Sequence, residues 1–190
     1  PISVPAIAEA RELLFPHQNL RKPADGTPIT IPSTKEMALG NYYLTSLDPS
    51  LPLHPSIFSS PVEAIMAYHN NRLQLRQPLK ARVLDQIIET TVGRLLFNEN
   101  LPEGLRFVNE PVRRSTVVDI FNKAFKLYSL EEISTLVDSI KNIGFWAVTI
   151  SGVSVSITDS PISPEKDSRI QSANSRVAEI DQNFAWGVIP

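Results

Sequence analysis

The side chains that could do chemistry are scattered along this chain. Its three histidines, His17, His54 and His69, stand far apart, and no pair of them has metal-ligand spacing. The serines include no Gly-x-Ser-x-Gly nucleophile motif, and the glycines form no phosphate-binding loop. The neighbouring carboxylates Glu131 and Glu132 fit the first turn of a helix, where the helix dipole favours acids. We therefore expect no catalytic residue and no metal site within this chain.

Composition excludes several other classes of protein. The chain has 190 residues, no cysteine and a net charge of −2, so it carries neither a disulfide framework nor a strong overall attraction for nucleic acid. No apolar run approaches the roughly 20 residues of a membrane helix, so we expect no membrane partner. The lack of cysteine fits a cytoplasmic protein. The first residue is Pro1 instead of Met, which is typical of a segment excised from a longer chain.

Apolar spacing and capping residues predict the elements that would position these side chains. The predicted helices cover residues 4–14, 33–45, 60–70, 115–127, 129–144 and 163–186, with Gly144 as the C-cap of the fifth. Extended segments are predicted at residues 28–32, 73–83 and 145–157, and a proline-rich loop at 48–57. The pattern predicts an α+β fold, with short strands and several helices around a small core.

Basic residues alternate with apolar ones along the second predicted strand. Arg72, Arg76, Lys80 and Arg82 would form a basic stripe on one strand face. A charge run of this kind is usually a solvated face, although in a larger assembly it could face another subunit.

The last predicted helix has a narrow apolar seam. Its apolar residues follow one another at spacings of three, four, three and four: Ile170, Ala173, Val177, Ile180 and Phe184. This is the a/d pattern of a coiled coil, narrower than the apolar stripe of a helix lying on a globular core. We therefore predict a projecting helix that pairs with another helix.

Five blocks of sequence, in order along the chain, carry a family resemblance. They are Pro-Ile-Ser followed by Glu-Ala-Arg at residues 1–11, Pro-Ala-Asp-Gly-Thr-Pro-Ile within 19–33, Leu-Gly-Asn-Tyr-Tyr-Leu-Thr at 39–45, Thr-Thr-Val-Gly-Arg-Leu-Leu-Phe-Asn opening 90–105, and Gly-Phe with Ser-Gly-Val-Ser-Val at 144–155. Together they resemble the segment that follows the catalytic metal loop in the bacterial β′ subunit, the largest subunit of multisubunit RNA polymerases.

The resemblance implies a function that the residues alone do not reveal. In that family the reaction is templated nucleotidyl transfer with two magnesium ions, whose ligands would lie outside this chain. Residues 1–160 would form the pore region, the wall of the secondary channel through which nucleotides enter, and residues 161–190 a truncated first helix of the channel rim. The implied partners are the β, α and ω subunits, the DNA template, RNA, nucleoside triphosphates and, at the rim, cleavage factors of the Gre type.

The resemblance implies specific roles for three residues, and at a fourth position the chain departs from the family. The family's channel-facing Gln falls on Lys35, or on Thr34, because one extra residue lies between Pro32 and Gly40. These side chains would line the channel, or they would be an ordinary solvated helix start. Arg94 would contact a neighbouring subunit or nucleic acid, or, as we favour, pair with carbonyls or a carboxylate inside the fold. Where the family usually has Arg, this chain has Ile150.

Two other classes of function compete with the polymerase hypothesis. A free-standing protein-interaction module derived from this segment would need no metal loop upstream of it. An independent enzyme is a more distant alternative, because no acid, base and nucleophile converge in the sequence.

Overall fold

Helices make up most of the chain and one small sheet completes it. The structure is a computed structural model that describes residues 2–190, so Pro1 of the first resemblance block lies outside the described residues. The α-helices are α1 Val4–Glu9, α2 Lys35–Thr45, α3 Pro61–His69, α4 Val92–Glu99, α5 Arg114–Leu127, α6 Leu130–Ser151 and α7 Lys166–Ala185. The strands are β1 Ile57–Phe58, β2 Pro78–Val83 and β3 Gln86–Thr91. The predicted α+β class is confirmed.

The chain forms two compact units. One ends at Val153 and contains α1 to α6 and the sheet, and the other runs from Ser154 to Pro190 and contains α7. No helix among residues 2–190 has the length and apolar composition needed to cross a membrane.

Local capping chemistry sets the ends of the helices. Ser60 accepts a hydrogen bond from the Glu63 amide at the start of α3, while the Glu63 carboxylate accepts from the Ser59 amide. Ser129 and Glu132 form a reciprocal capping box at the start of α6. Each arrangement gives hydrogen-bond partners to amides that a helix start leaves unpaired.

The sheet has the order β1-β2-β3, with β1 parallel and β3 antiparallel to β2. A two-residue turn, Leu84–Asp85, joins β2 to β3, and both residues have positive φ, 47° and 62°. Leu79, Ala81 and Val83 point inward from β2, and Lys80 and Arg82 point to solvent. The alternation of residues 79–83 therefore predicted this strand correctly.

The first unit has two apolar clusters. In one, Leu44 of α2, Phe121 of α5 and Ile140 of α6 are fully buried with Phe97 of α4. In the other, the inner face of β2 packs with α3 and with Leu95 of α4. Because α4 contributes to both clusters, it couples the sheet to the helices.

All three predicted extended segments are wrong in whole or in part. Residues 28–32 form a single bridge, Arg21 to Pro28, since prolines at both ends remove amide donors. Residues 73–77 form a turn that precedes β2, so the basic stripe is broken. The Arg76 guanidinium lies 4.7 Å from the centre of the Tyr43 ring and donates to the Ser46 carbonyl.

The predicted end of α6 at Gly144 is also wrong. The helix continues to Ser151, and Gly152, with φ of 62°, is the C-cap. Gly144 lies inside the helix because α2 packs against its bare backbone. Residues 145–151 are therefore helical, and Val153, Val155 and Ile157 are exposed without strand structure.

Candidate functional site

The two residues expected to line a channel start helix α2. Thr34 is the N-cap, in an extended conformation, and Lys35 is the first helical residue with φ of 52°. Both are exposed, and the Thr34 side chain makes no capping hydrogen bond. Lys35 is thus an exposed cation in the first turn of α2, where the amides carry the positive end of the helix dipole and Glu36 is the first-turn acid. This end of α2 can attract an anion.

The middle of α2 is fixed against α6 by backbone contact. A Cβ on Gly144 would lie 2.8 Å from the Met37 carbonyl oxygen, so only glycine allows this approach. Beside it, the fully buried Asn41 donates from Nδ2 to the Ile140 carbonyl at 3.3 Å. A buried amide with one specific partner favours a single register between the two helices.

The far end of α2 is held by Arg94 of α4. Arg94 Nε donates to the Thr45 carbonyl at 2.9 Å, and Nη1 donates to the Asn109 carbonyl at 3.0 Å. Burial lowers the pKa of Arg94, and the negative charge of Glu110 acts in the opposite direction. The guanidinium is therefore a structural group bonded to carbonyls, as we favoured from the sequence.

A polar network surrounds this arginine. Thr45 Oγ1 donates to the Asn41 carbonyl and accepts from the Val112 amide, both at 2.7 Å. Asn98 donates from Nδ2 to the Val108 carbonyl and accepts from the Val108 amide, at 2.8 and 2.7 Å. The network joins α2, α4 and the segment before α5. It was missed from the sequence because asparagine and threonine carry no periodic signal; only the Thr-Thr-Val-Gly-Arg block pointed here.

The apolar seam of α7 lies on one exposed side of that helix. Ile170, Val177, Ile180 and Phe184 each expose between 47% and 64% of their surface, and Ala173 is exposed as well. The helix runs from Lys166 to Ala185, close to the predicted extent, and Gly187 follows with φ of 70°. Within residues 154–190, the seam is therefore not buried by the unit's own residues.

The chain offers little to bind a metal. Within the described residues, no group of at least three His, Cys, Asp or Glu side chains is placed to hold a metal ion. The three histidines lie in separate places: His17 after the first helix, His54 in the proline-rich loop and His69 at the end of α3.

Residues 19–160 match the family described as RNA polymerase Rpb1, domain 3. The whole chain is 37% identical to a protein of Tropheryma whipplei named DNA-directed RNA polymerase subunit beta′. Proteins of the same name from Thermosipho africanus and Pelotomaculum thermopropionicum are 37% and 36% identical over the whole chain.

The match covers a small part of each relative. The chain spans 15%, 12% and 16% of the length of these three proteins. The family match includes both helices α2 and α6 and the complete Arg94 network. The chain belongs to the RNA polymerase Rpb1 domain 3 family and is similar along its whole length to bacterial β′ subunits.

Proposed function

We propose that this chain acts as part of the β′ subunit of a DNA-directed RNA polymerase, in transcription, and forms a wall of the secondary channel through which nucleotides enter. The whole-chain similarity to proteins named DNA-directed RNA polymerase subunit beta′ carries the proposal. The family match over residues 19–160 supports it independently.

Within this proposal, the start of α2 lines the channel. Thr34 and Lys35 are exposed, and the Lys35 ammonium adds its charge to the positive end of the helix dipole. An ammonium is a compact charge that attracts a triphosphate without fixing its geometry. The Arg94 network and the Gly40–Gly144 contact hold α2, so the position of Lys35 follows from the core of the unit.

In this proposal, parts of the complete enzyme outside this chain carry out catalysis. The described residues offer no group that fits a metal ion, so we propose that the ligands of the Mg²⁺ used in nucleotidyl transfer lie outside this chain. The chain by itself would then neither polymerise nucleotides nor bind Mg²⁺ tightly.

The partners follow from the same proposal. The first unit would contact other polymerase subunits, β, α or ω, and the complete enzyme would hold DNA template, RNA and nucleoside triphosphates. Residues 1–160 would be the pore region and residues 161–190 the first rim helix, where Gre-type cleavage factors dock. The exposed α7 seam supports the rim assignment, because such a seam pairs with a second helix.

The experiment uses a reconstituted polymerase whose β′ subunit contains this chain. Lys35→Glu reverses the charge and is expected to raise the apparent KM for nucleotides at low salt, since like charges repel along the path. Lys35→Arg should keep the wild-type KM. The control Lys126→Glu changes an exposed lysine near the end of α5 and should also leave KM unchanged.

The results separate the alternatives. An unchanged KM for Lys35→Glu at low salt would make Lys35 an ordinary solvated residue. A rise that is equal in the Lys126→Glu enzyme would show a general charge effect and would remove the specific role of the α2 start.

A further inference from the structure

The turn between β2 and β3 contains an unfavourable residue. Leu84 has φ of 47°, in the left-handed region that asparagine and glycine adopt most readily. Its side chain is also 73% exposed, so the leucine gains little from burial within this chain. The two-residue turn between paired Val83 and Gln86 requires positive φ at this position, so the hairpin itself holds the leucine in this conformation.

Leu84 borders a cavity of about 270 Å³. The walls come from the start of α3, the end of β2, the end of α4 and residues 106–107, and all belong to the first unit. They are largely apolar and include Val62, Val83, Leu95 and Phe107. Val62 on the rim is 59% exposed. An apolar side chain could be buried here at little structural cost.

The charged residues at the cavity are Arg82, Arg106 and Glu99. Arg106 donates from Nε to the Leu101 carbonyl at 2.7 Å, so part of its guanidinium is already bonded. Arg82 is exposed, and its cross-strand neighbour Ile87 offers no counter-charge. The lining thus has one more positive than negative charge, and Arg82 is the cation best placed to receive a carboxylate.

We propose that this cavity is a docking pocket for a polypeptide outside this chain, which inserts an apolar side chain beside Leu84 and places a carboxylate against Arg82. The apolar walls favour an apolar anchor residue in the partner, and the excess positive charge favours an acidic residue next to it. The exposed leucine in a strained turn then becomes part of an interface, where its burial offsets its backbone strain.

The test titrates the ¹⁵N-labelled 190-residue chain with capped tripeptides. The probe contains aspartate, leucine and glycine; one control has lysine in place of aspartate and the other alanine in place of leucine. The probe should give saturable amide shifts at Val62, Leu84 and Leu95. The lysine peptide should bind about two- to fivefold more weakly, the range for an exposed ion pair, and the alanine peptide should give no saturable shifts.

Three variants probe the pocket without disturbing the core. Leu84→Asn relieves the strained turn, so its unfolding midpoint should rise by about 3 °C while peptide binding is lost. Leu84→Gly should behave in the same way. Arg82→Gln should keep binding and remove the preference for aspartate over lysine.

The outcomes that overturn the proposal are specific. The absence of saturable shifts with the probe at about 10 mM, or equal shifts with the alanine peptide, shows that the cavity does not bind an apolar anchor. Undiminished binding by a stabilised Leu84→Asn chain excludes a role for the turn. Shifts at the same amides that depend on protein concentration alone would identify a second copy of this chain as the occupant.

Discussion

Gly40 of α2 and Gly144 of α6 meet backbone to backbone. A Cβ on Gly40 would overlap the Gly144 carbonyl, and a Cβ on Gly144 would lie 2.9 Å from the Asn41 side-chain amide. The two helices cross at this point, which fixes the direction of the helix that carries Thr34 and Lys35. The same contact explains why a glycine in the interior of α6 does not end the helix.

Gly40→Ala is expected to destabilise the chain by about 3 kcal/mol, because the clash involves backbone and cannot be relieved by a rotamer change. Urea unfolding measures the loss. The control Gly152→Ala introduces a side chain at φ of 62° with open space around it, and it should cost about 1–2 kcal/mol from strain alone. If Gly40→Ala cost less than the control, the close helix contact would be refuted.

Arg94→Ala would leave the Thr45 and Asn109 carbonyls without their guanidinium donor. We expect a loss of about 2–3 kcal/mol in the free energy of unfolding. Arg94→Lys should recover only part of this free energy, because a lysine ammonium lacks the planar guanidinium geometry that donates to both carbonyls. Arg114→Ala removes an exposed arginine at the start of α5 and should change stability by less than about 0.5 kcal/mol. Full recovery by lysine would show that charge alone matters at residue 94.

The capping box of α6 predicts that the stability of the fold depends on pH. The hydrogen bond from the Ser129 amide, and then that from its hydroxyl, lowers the pKa of Glu132 from its ordinary value of 4.5. Because the folded pKa is the lower one, this stabilisation is complete above the ordinary value and is lost as pH falls through the folded pKa. The unfolding midpoint of Glu132→Gln should therefore lie below wild type near pH 7 and approach it near pH 3.

Glu131→Gln is the matched control for this measurement. It changes the neighbouring acid of the same helical turn and leaves the Ser129–Glu132 box in place. A gap between wild type and Glu132→Gln that stays constant from neutral to acidic pH would contradict the cap assignment.

Ile180→Asp places a charge in the α7 seam. An isolated amphipathic helix of about this length is marginal in water, so we expect this helix either to fray or to pair with a second copy of the chain through the seam. Sedimentation should show that Ile180→Asp abolishes the dimer while the first unit stays folded. Gln182→Asp, at a position off the seam on the same helix, should leave the dimer intact. Unfolding of the whole chain by Ile180→Asp would instead place the helix on a core and refute the rim assignment.

Six of the seven α-helices that the structure describes could be predicted from the sequence because their signals are local. Helix α4 was not predicted, since residues 90–98 show only an apolar run around Gly93 and Arg94. The Ser60-Pro61 start of α3, the Ser129–Glu132 box and the heptad spacing of α7 each lie within a few residues, and the structure has these helices. The ordered blocks likewise indicated the polymerase family, since a motif is read directly from residue order. Apolar alternation also located β2 correctly.

Tertiary structure decided what depends on contacts between distant residues. Whether Gly144 ends or continues a helix depends on α2, about a hundred residues earlier in the chain, because a bare backbone serves equally well as a C-cap and as a packing surface. Strand β3 was missed because Leu84–Asp85 lacks the Asn-Gly signature of a tight hairpin, although its φ angles are those of such a turn. The partners of Arg94 could not be identified from the sequence, because only folding brings the Thr45 and Asn109 carbonyls to it. Local patterns fix where elements start and stop, whereas packing and hydrogen-bond satisfaction act between elements and appear only in the folded chain.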